Sequence, residues 1–177
     1  MDRSELRFSG WELVATAAVA LGAAGVYQFG WSSIRLPLGG RLGAPESALG
    51  TVFTLFVVFQ TLGQFPAGWV RDRYGPRIPL LAGALCLAGG FVGVGLADSL
   101  PVAAASYALG GVGVSAVYTV AVNTPVKWFH DRRGLATGVV GMSFSGFSFL
   151  VIPTIRGRVG EAFEGTMFVL AVVAGGG

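Results

Sequence analysis

Gly68-Trp69-Val70-Arg71-Asp72-Arg73-Tyr74-Gly75-Pro76-Arg77 crowds four charges and a turn into ten residues. Apolar runs flank it on both sides, Ala48 to Val70 before and Ile78 to Ala97 after. A helical span of the bilayer core needs about 20 apolar residues, and both runs have that length. The stretch therefore reads as a short charged reversal between two membrane helices. Gly75 and Pro76 suit a tight turn, and Pro76 sits where a helix can begin. Asp72, among Arg71, Arg73 and Arg77, can pair with arginine or cap the positive end of another helix.

Working outward, the same test finds further spans. Helix 1 fits residues 11–34, helix 2 residues 48–70, helix 3 residues 78–97, helix 4 residues 101–123 and helix 5 residues 135–155. The first run is too long for a signal peptide. A sixth run, 166–177, is short: twelve helical residues rise about 18 Å against a core of about 30 Å. A chain stopping there would leave a carboxylate and unpaired carbonyls in hydrocarbon. The expectation is a truncated sixth helix; a short re-entrant tail is the alternative.

Composition agrees with a bilayer setting. Of 177 residues, 53% are hydrophobic and 12% charged; soluble domains carry about 25% charged residues. The 29 glycines follow no collagen period and fit close helix contacts. The net charge is +3, and its short basic clusters read as topology signals, not as a nucleic-acid surface. Cys86 is the single cysteine and His130 the single histidine. No metal-ligand cluster and no cofactor motif is legible. His130, beside Asp131, Arg132 and Arg133, reads as a solvated loop residue. Spans 2 to 5 contain no Asp, Glu, Lys, Arg or His away from their ends. An intramembrane enzyme needs a nucleophile with a base, or metal ligands, at that depth, so catalysis is not expected.

Basic residues set the orientation. With the N-terminus inside, cytoplasmic segments hold Arg3, Arg7, Arg71, Arg73, Arg77, Lys127, Arg132 and Arg133, eight in all. The outer segments hold four: Arg35, Arg41, Arg156 and Arg158. The positive-inside rule then favours a cytoplasmic N-terminus.

Three motifs carry a resemblance to a known family. Gly68, Asp72, Arg73, Gly75 and Arg77 resemble the G-x-x-x-D-R-x-G-x-R/K loop between helices 2 and 3 of the major facilitator superfamily of secondary transporters. Arg71 stands where a small residue is usual and Pro76 where a basic one is usual. The Y-G-P-R form is similar to the oxalate/formate antiporter and monocarboxylate carrier branches. Tyr27-Gln28-Phe29-Gly30-Trp31 resembles the aromatic Y-Q-x-x-W stretch on helix 1 of the oxalate/formate antiporter family. Trp128-Phe129-His130-Asp131-Arg132-Arg133-Gly134-Leu135-Ala136-Thr137-Gly138 resembles the monocarboxylate-carrier pattern at the start of helix 5, with Phe129, Arg132, Arg133, Ala136 and Gly138 on its fixed positions. No lysine stands near Trp31, where animal monocarboxylate carriers tend to have one. Tyr107 occupies the place of an arginine that proton-coupled drug exporters use.

The resemblance implies an all-α integral membrane fold, the N-terminal six-helix half of a twelve-helix major facilitator protein. It implies a plasma-membrane carrier that moves a small organic anion, a mono- or dicarboxylate, by alternating access. The mode would be antiport or ion-coupled symport. The partners would be a C-terminal transmembrane half, the lipid bilayer and the anion. A half-size scaffold, a dimeric half-carrier, or a carrier of a non-carboxylate solute are the alternatives. Asp72 would act as a conformational gate against the other half.

The substrate candidates are Tyr27, Gln28, Trp31, Arg35, Tyr118 and Asn123. Tyr27 and Trp31 are i and i+4, so they share a face. They form either an aromatic wall for a planar carboxylate or an interfacial belt. Arg35 either meets the anion at the outer vestibule or snorkels to headgroups. Tyr118 and Asn123 either line the cavity or bond between helices. Gly134, Gly138, Gly141 and Ser145 recur on related faces of helix 5, where another helix can approach closely.

Overall fold

The computed structural model describes residues 10–128, 132–159 and 162–176. Within them the chain is helical throughout: α1 Gly10–Leu42, α2 Glu46–Tyr74, α3 Arg77–Leu96, α4 Leu100–Trp128, α5 Arg133–Val159 and α6 Phe163–Gly176. In hydrocarbon every backbone N–H and C=O must be bonded internally, which selects helices for runs of this kind. Five of the helices are long and apolar enough to cross a membrane. The sixth has 14 residues, a rise of about 21 Å.

Helix ends differ most from the sequence expectation. Residues 11–34 fitted the first span; α1 instead runs to Leu42 with Pro37 inside it. Its stop is Gly43, at φ +62, after which the Ala44 N–H donates to the Gly39 carbonyl at 3.0 Å. The positive φ needs no Cβ, so glycine fits there at little cost. α2 likewise continues past Val70 to Tyr74. Asp72 and Arg73 therefore lie on the last helical turn, and only Gly75 and Pro76 separate α2 from α3. Gly75 has φ +88 and closes onto the Arg71 carbonyl at 2.9 Å. α4 continues beyond Asn123, and α5 starts at Arg133 and runs to Val159.

The packing resembles two three-helix units that exchange partners. α1 lies along α5, α4 lies along α2, and α3 pairs with α6. α1 and α4 cross at the centre, and α3 also packs on α4. Within the apolar windows, 44% of α1 and 56% of α4 is buried, but 17% of α2 and 17% of α5. The outer faces of α2 and α5 are thus left uncovered by this chain.

Small residues make the central crossing possible. A Cβ at Gly110 would collide with the ring of Tyr27, and one at Gly25 with the backbone carbonyl of Phe144. A Cβ at Gly113 would come within 2.7 Å of the Gly83 carbonyl on α3. The expected close approach at Gly134, Gly138 and Gly141 is absent. Among the described residues nothing stands within 4 Å of where a Cβ would be, so any close approach there is made by something other than these helices.

Candidate functional site

Tyr27 and Trp31 do share a face of α1, and that face is turned into the helix bundle. Tyr27 is fully buried and Trp31 is 7% exposed. The Tyr27 ring stacks on Tyr107 at 4.8 Å and meets the edge of Phe91 at 4.5 Å. Trp31 lies 4.5 Å from Tyr107 and 6.3 Å from Phe53. The Tyr27 hydroxyl donates to the carbonyls of Ser106 and Tyr107, each at 3.3 Å. In return the Tyr107 hydroxyl donates to the Tyr27 carbonyl at 2.8 Å. Buried phenols need such partners. The pair locks α1 to α4 and offers no surface to a solute. The Trp31 indole likewise faces protein, neither an open wall nor the membrane interface.

The open side of α1 is carried by Phe29, which sequence reasoning left out. Phe29 is 38% exposed, and its ring meets Phe144 of α5 edge-on at 5.5 Å. Phe144 in turn meets Tyr118 of α4 edge-on at 5.6 Å. Three half-buried rings from three helices thus form one continuous aromatic strip. Edge-to-face geometry presents ring edges and faces together, which suits a planar solute. Next to Phe29, the Gln28 side chain accepts a hydrogen bond from Nε2 of Gln60 on α2, at 3.0 Å. Both amides are half-buried. Gln60 was also missed, because a glutamine in an apolar run, here one of two with Gln64, gives no sign of its partner. Asn123 is exposed and gives its amide to the Thr119 carbonyl of its own helix at 2.8 Å. Of the candidates, then, Tyr118 belongs to the strip, Gln28 is tied to α2 through Gln60, and Asn123 is exposed on α4.

Arg35 stands apart from the strip, 3.9 Å from Glu46 at the start of α2. Both side chains are largely exposed. Two other arginines at this end do more. Arg41 donates to the Gly95 carbonyl at 2.7 Å and to Glu164 at 2.9 Å, and lies over the Phe163 ring. It ties the end of α1 to α3 and α6. Arg156 donates through Nε to the Ser33 hydroxyl at 3.2 Å, joining α5 to α1.

At the opposite end lies the charged reversal. Arg71 and Asp72 pair at 3.3 Å, with side chains 9% and 69% exposed. The arginine is thus tucked in while the carboxylate faces outward. Arg73 lies over the rings of Trp69 and Tyr74, at 5.5 and 5.7 Å. Gly68 lies against Thr119 of α4, and Arg77 is exposed at the start of α3. At the start of α5, Arg132, Arg133 and Gly138 are exposed and Ala136 is buried. Phe129 and His130 lie outside the described residues.

Two apolar crevices flank α6, of about 870 and 700 Å³. The larger is rimmed by Arg71, Asp72 and Arg77. None of the six substrate candidates lines either one. The aromatic strip is an open face, not an enclosed cavity. Among the described residues no group of three or more His, Cys, Asp or Glu side chains is placed to hold a metal.

Residues 14–177 match the family model of the Major Facilitator Superfamily. The chain belongs to that superfamily. It is 33% identical over 168 residues to the oxalate:formate antiporter of Oxalobacter formigenes, covering 92% of this chain and 40% of the relative. It is 33% identical over 144 residues to an uncharacterized 38 kDa protein in the 23S RNA operon of Thermoproteus tenax, covering 81% and 38%. An uncharacterized MFS-type transporter of Escherichia coli (strain K12), YhjX, is 29% identical over 143 residues, with 78% and 35% covered. The chain spans about 40% of the length of these relatives. It is a multi-pass membrane protein of a superfamily of transporters.

Proposed function

We propose that the chain is the N-terminal half of a plasma-membrane carrier for small organic anions, mono- or dicarboxylates, working by alternating access. The observation that carries this reading is the open strip Phe29–Phe144–Tyr118 beside the Gln28–Gln60 pair. It is an uncharged, mid-helix surface with amide donors and aromatic edges. Such a surface can hold a carboxylate without burying a fixed charge of its own. Similarity to an oxalate:formate antiporter supports the same substrate class. The uncovered faces of α2 and α5, and the open glycines of α5, are the seat for a second six-helix half. The two halves rock about the strip, which then opens to one side of the membrane at a time. Substrate moves with no bond made or broken, as counter-exchange or coupled to an ion. The N-terminus lies in the cytoplasm, with Asp72 at the inner gate.

The test is equilibrium binding to the purified full-length protein of oxalate, formate, lactate and an uncharged amide of similar size. Saturable binding of the carboxylates and not of the amide is expected. Equal binding of all four would contradict an anion site.

A further inference from the structure

Arg35, Arg41 and Arg156 lie toward the same end of the bundle and differ in their partners. Arg35 stands near Glu46, and Arg41 pairs with Glu164. Arg156 gives its Nε to the neutral hydroxyl of Ser33. Among the described residues no carboxylate pairs with it, and the residue is exposed. A guanidinium is a planar fork of five N–H donors. The donors on Nη1 and Nη2 of Arg156 have no partner among the described residues, so both its charge and its end-on fork are left unanswered.

Contacts on two helices place that fork. Phe29 and Ser33 are i and i+4 on α1 and share a face. Each meets α5: the Phe29 ring against Phe144, the Ser33 hydroxyl at Arg156. The guanidinium therefore lies along the α1–α5 seam, one turn or roughly 6 Å beyond the Phe29 ring. Arg156 also follows Gly138 by five turns of about 3.6 residues, which puts the two on one side of α5. That side is open at Gly138 among the described residues. The crevice beside α6 is lined by a different side of α5, through Phe147, Val151 and Arg158, and Arg156 is not part of that lining.

We infer that Arg156 binds the substrate anion. Nη1 and Nη2 offer the parallel pair of donors that a carboxylate accepts side by side, while the planar body of the anion rests on Phe29. Ser33 is the positioning residue: by holding Nε it leaves the terminal nitrogens as the free end of the fork. The inference rests on the carboxylate reading and deepens it, by naming the cation of this half that meets the anion's charge. The aromatic strip itself stays neutral, because the arginine stands one turn beyond it.

Three variants separate anion binding from helix packing: Arg156→Gln, Arg156→Lys and Ser33→Ala. Each removes the Nε–Ser33 bond, so a mere clamp between α5 and α1 would be lost alike in all three. Only the Arg156 variants also remove the fork. Binding of oxalate and of formate to the purified full-length proteins would be measured, with thermal melts alongside. Oxalate affinity should fall about tenfold in Arg156→Gln, about threefold or more in Arg156→Lys, which keeps the charge without the fork, and less than about threefold in Ser33→Ala. The ratio of oxalate to formate affinity should fall in Arg156→Gln, because the dianion loses more with the positive charge. Wild-type affinities in both Arg156 variants would overturn the inference, and so would equal losses in all three variants. Should Arg156→Gln fail to fold, Arg156→Lys against Ser33→Ala decides in the same way. Oxalate binding by the wild type with both Arg156 variants unchanged would leave the carboxylate reading standing and remove Arg156 from it. A wild-type protein that binds neither anion would overturn the two together.

Discussion

Tyr27 shows how far a single side chain can be placed from sequence. The spacing i, i+4 set it on one face with Trp31, and the structure agrees. The choice between a buried face and an open face was not legible, because α1 is apolar all round. Without a polar side there is no contrast to orient the helix. The open face became visible only when Phe29 met Phe144 and Tyr118 across three helices. Tyr27→Phe should therefore lower thermal stability and leave carboxylate affinity unchanged. The hydroxyl's one proton is shared between two carbonyls, and losing that bond costs on the order of 0.6–2 kcal/mol in a membrane interior. Phe29→Ala should do the reverse. Removal of a well-packed aromatic contact costs about 0.5–1.5 kcal/mol beyond its area, a weakening of roughly 2- to 12-fold in Kd, with stability little altered since Phe29 is 38% exposed. Binding and thermal melts on both variants check the pair, and a larger affinity loss in Tyr27→Phe than in Phe29→Ala would reverse the assignment. Gly110→Val should be harsher than either, because the new side chain enters the space of the Tyr27 ring. Overpacking of this kind costs about 1–3 kcal/mol and should appear as poor expression of folded protein.

At the scale of elements, the number and order of helices were legible because run length and apolarity decide them. Their ends were not. The first span was expected to end at Ile34, but α1 continues to Leu42, with Arg35 beside Glu46 and the turn at Gly43. The Arg41 contacts to Gly95 and Glu164 join positions far apart in sequence, and no local pattern announces them. The short reversal between α2 and α3 was legible in outline; the structure adds that Asp72 sits on the final turn with its carboxylate outward. An outward carboxylate is poorly placed to hold this half together and well placed to meet another surface. Asp72→Asn should leave expression and melting temperature near wild type while depressing transport several-fold. Normal transport in this variant would make Asp72 an ordinary helix-end residue. Arg71→Ala, by contrast, removes a side chain only 9% exposed and should lower stability as well.

For the whole molecule, the exchange of partners between α1–α3 and α4–α6 leaves α2 and α5 the least covered of the spans. No repeat was visible in the sequence, because related helices in such folds keep packing roles and not residues. The proposed orientation, with the N-terminus inside, rests on the eight-to-four division of basic residues. In a Cys86→Ser background, Asp98→Cys between α3 and α4 should react with an impermeant thiol reagent added outside intact cells, and Arg132→Cys should react only after permeabilisation. The opposite pattern would invert the topology. The central claim is that this six-helix unit is one half of a carboxylate carrier. It is tested most directly by exchange in proteoliposomes containing the purified full-length protein, preloaded with formate or oxalate and given labelled oxalate outside. Labelled oxalate should accumulate, either in preloaded vesicles by exchange or in empty ones under an imposed ion gradient, and Phe29→Ala should slow this at low oxalate concentration. Exchange of an uncharged solute with no uptake of either carboxylate would contradict the claim.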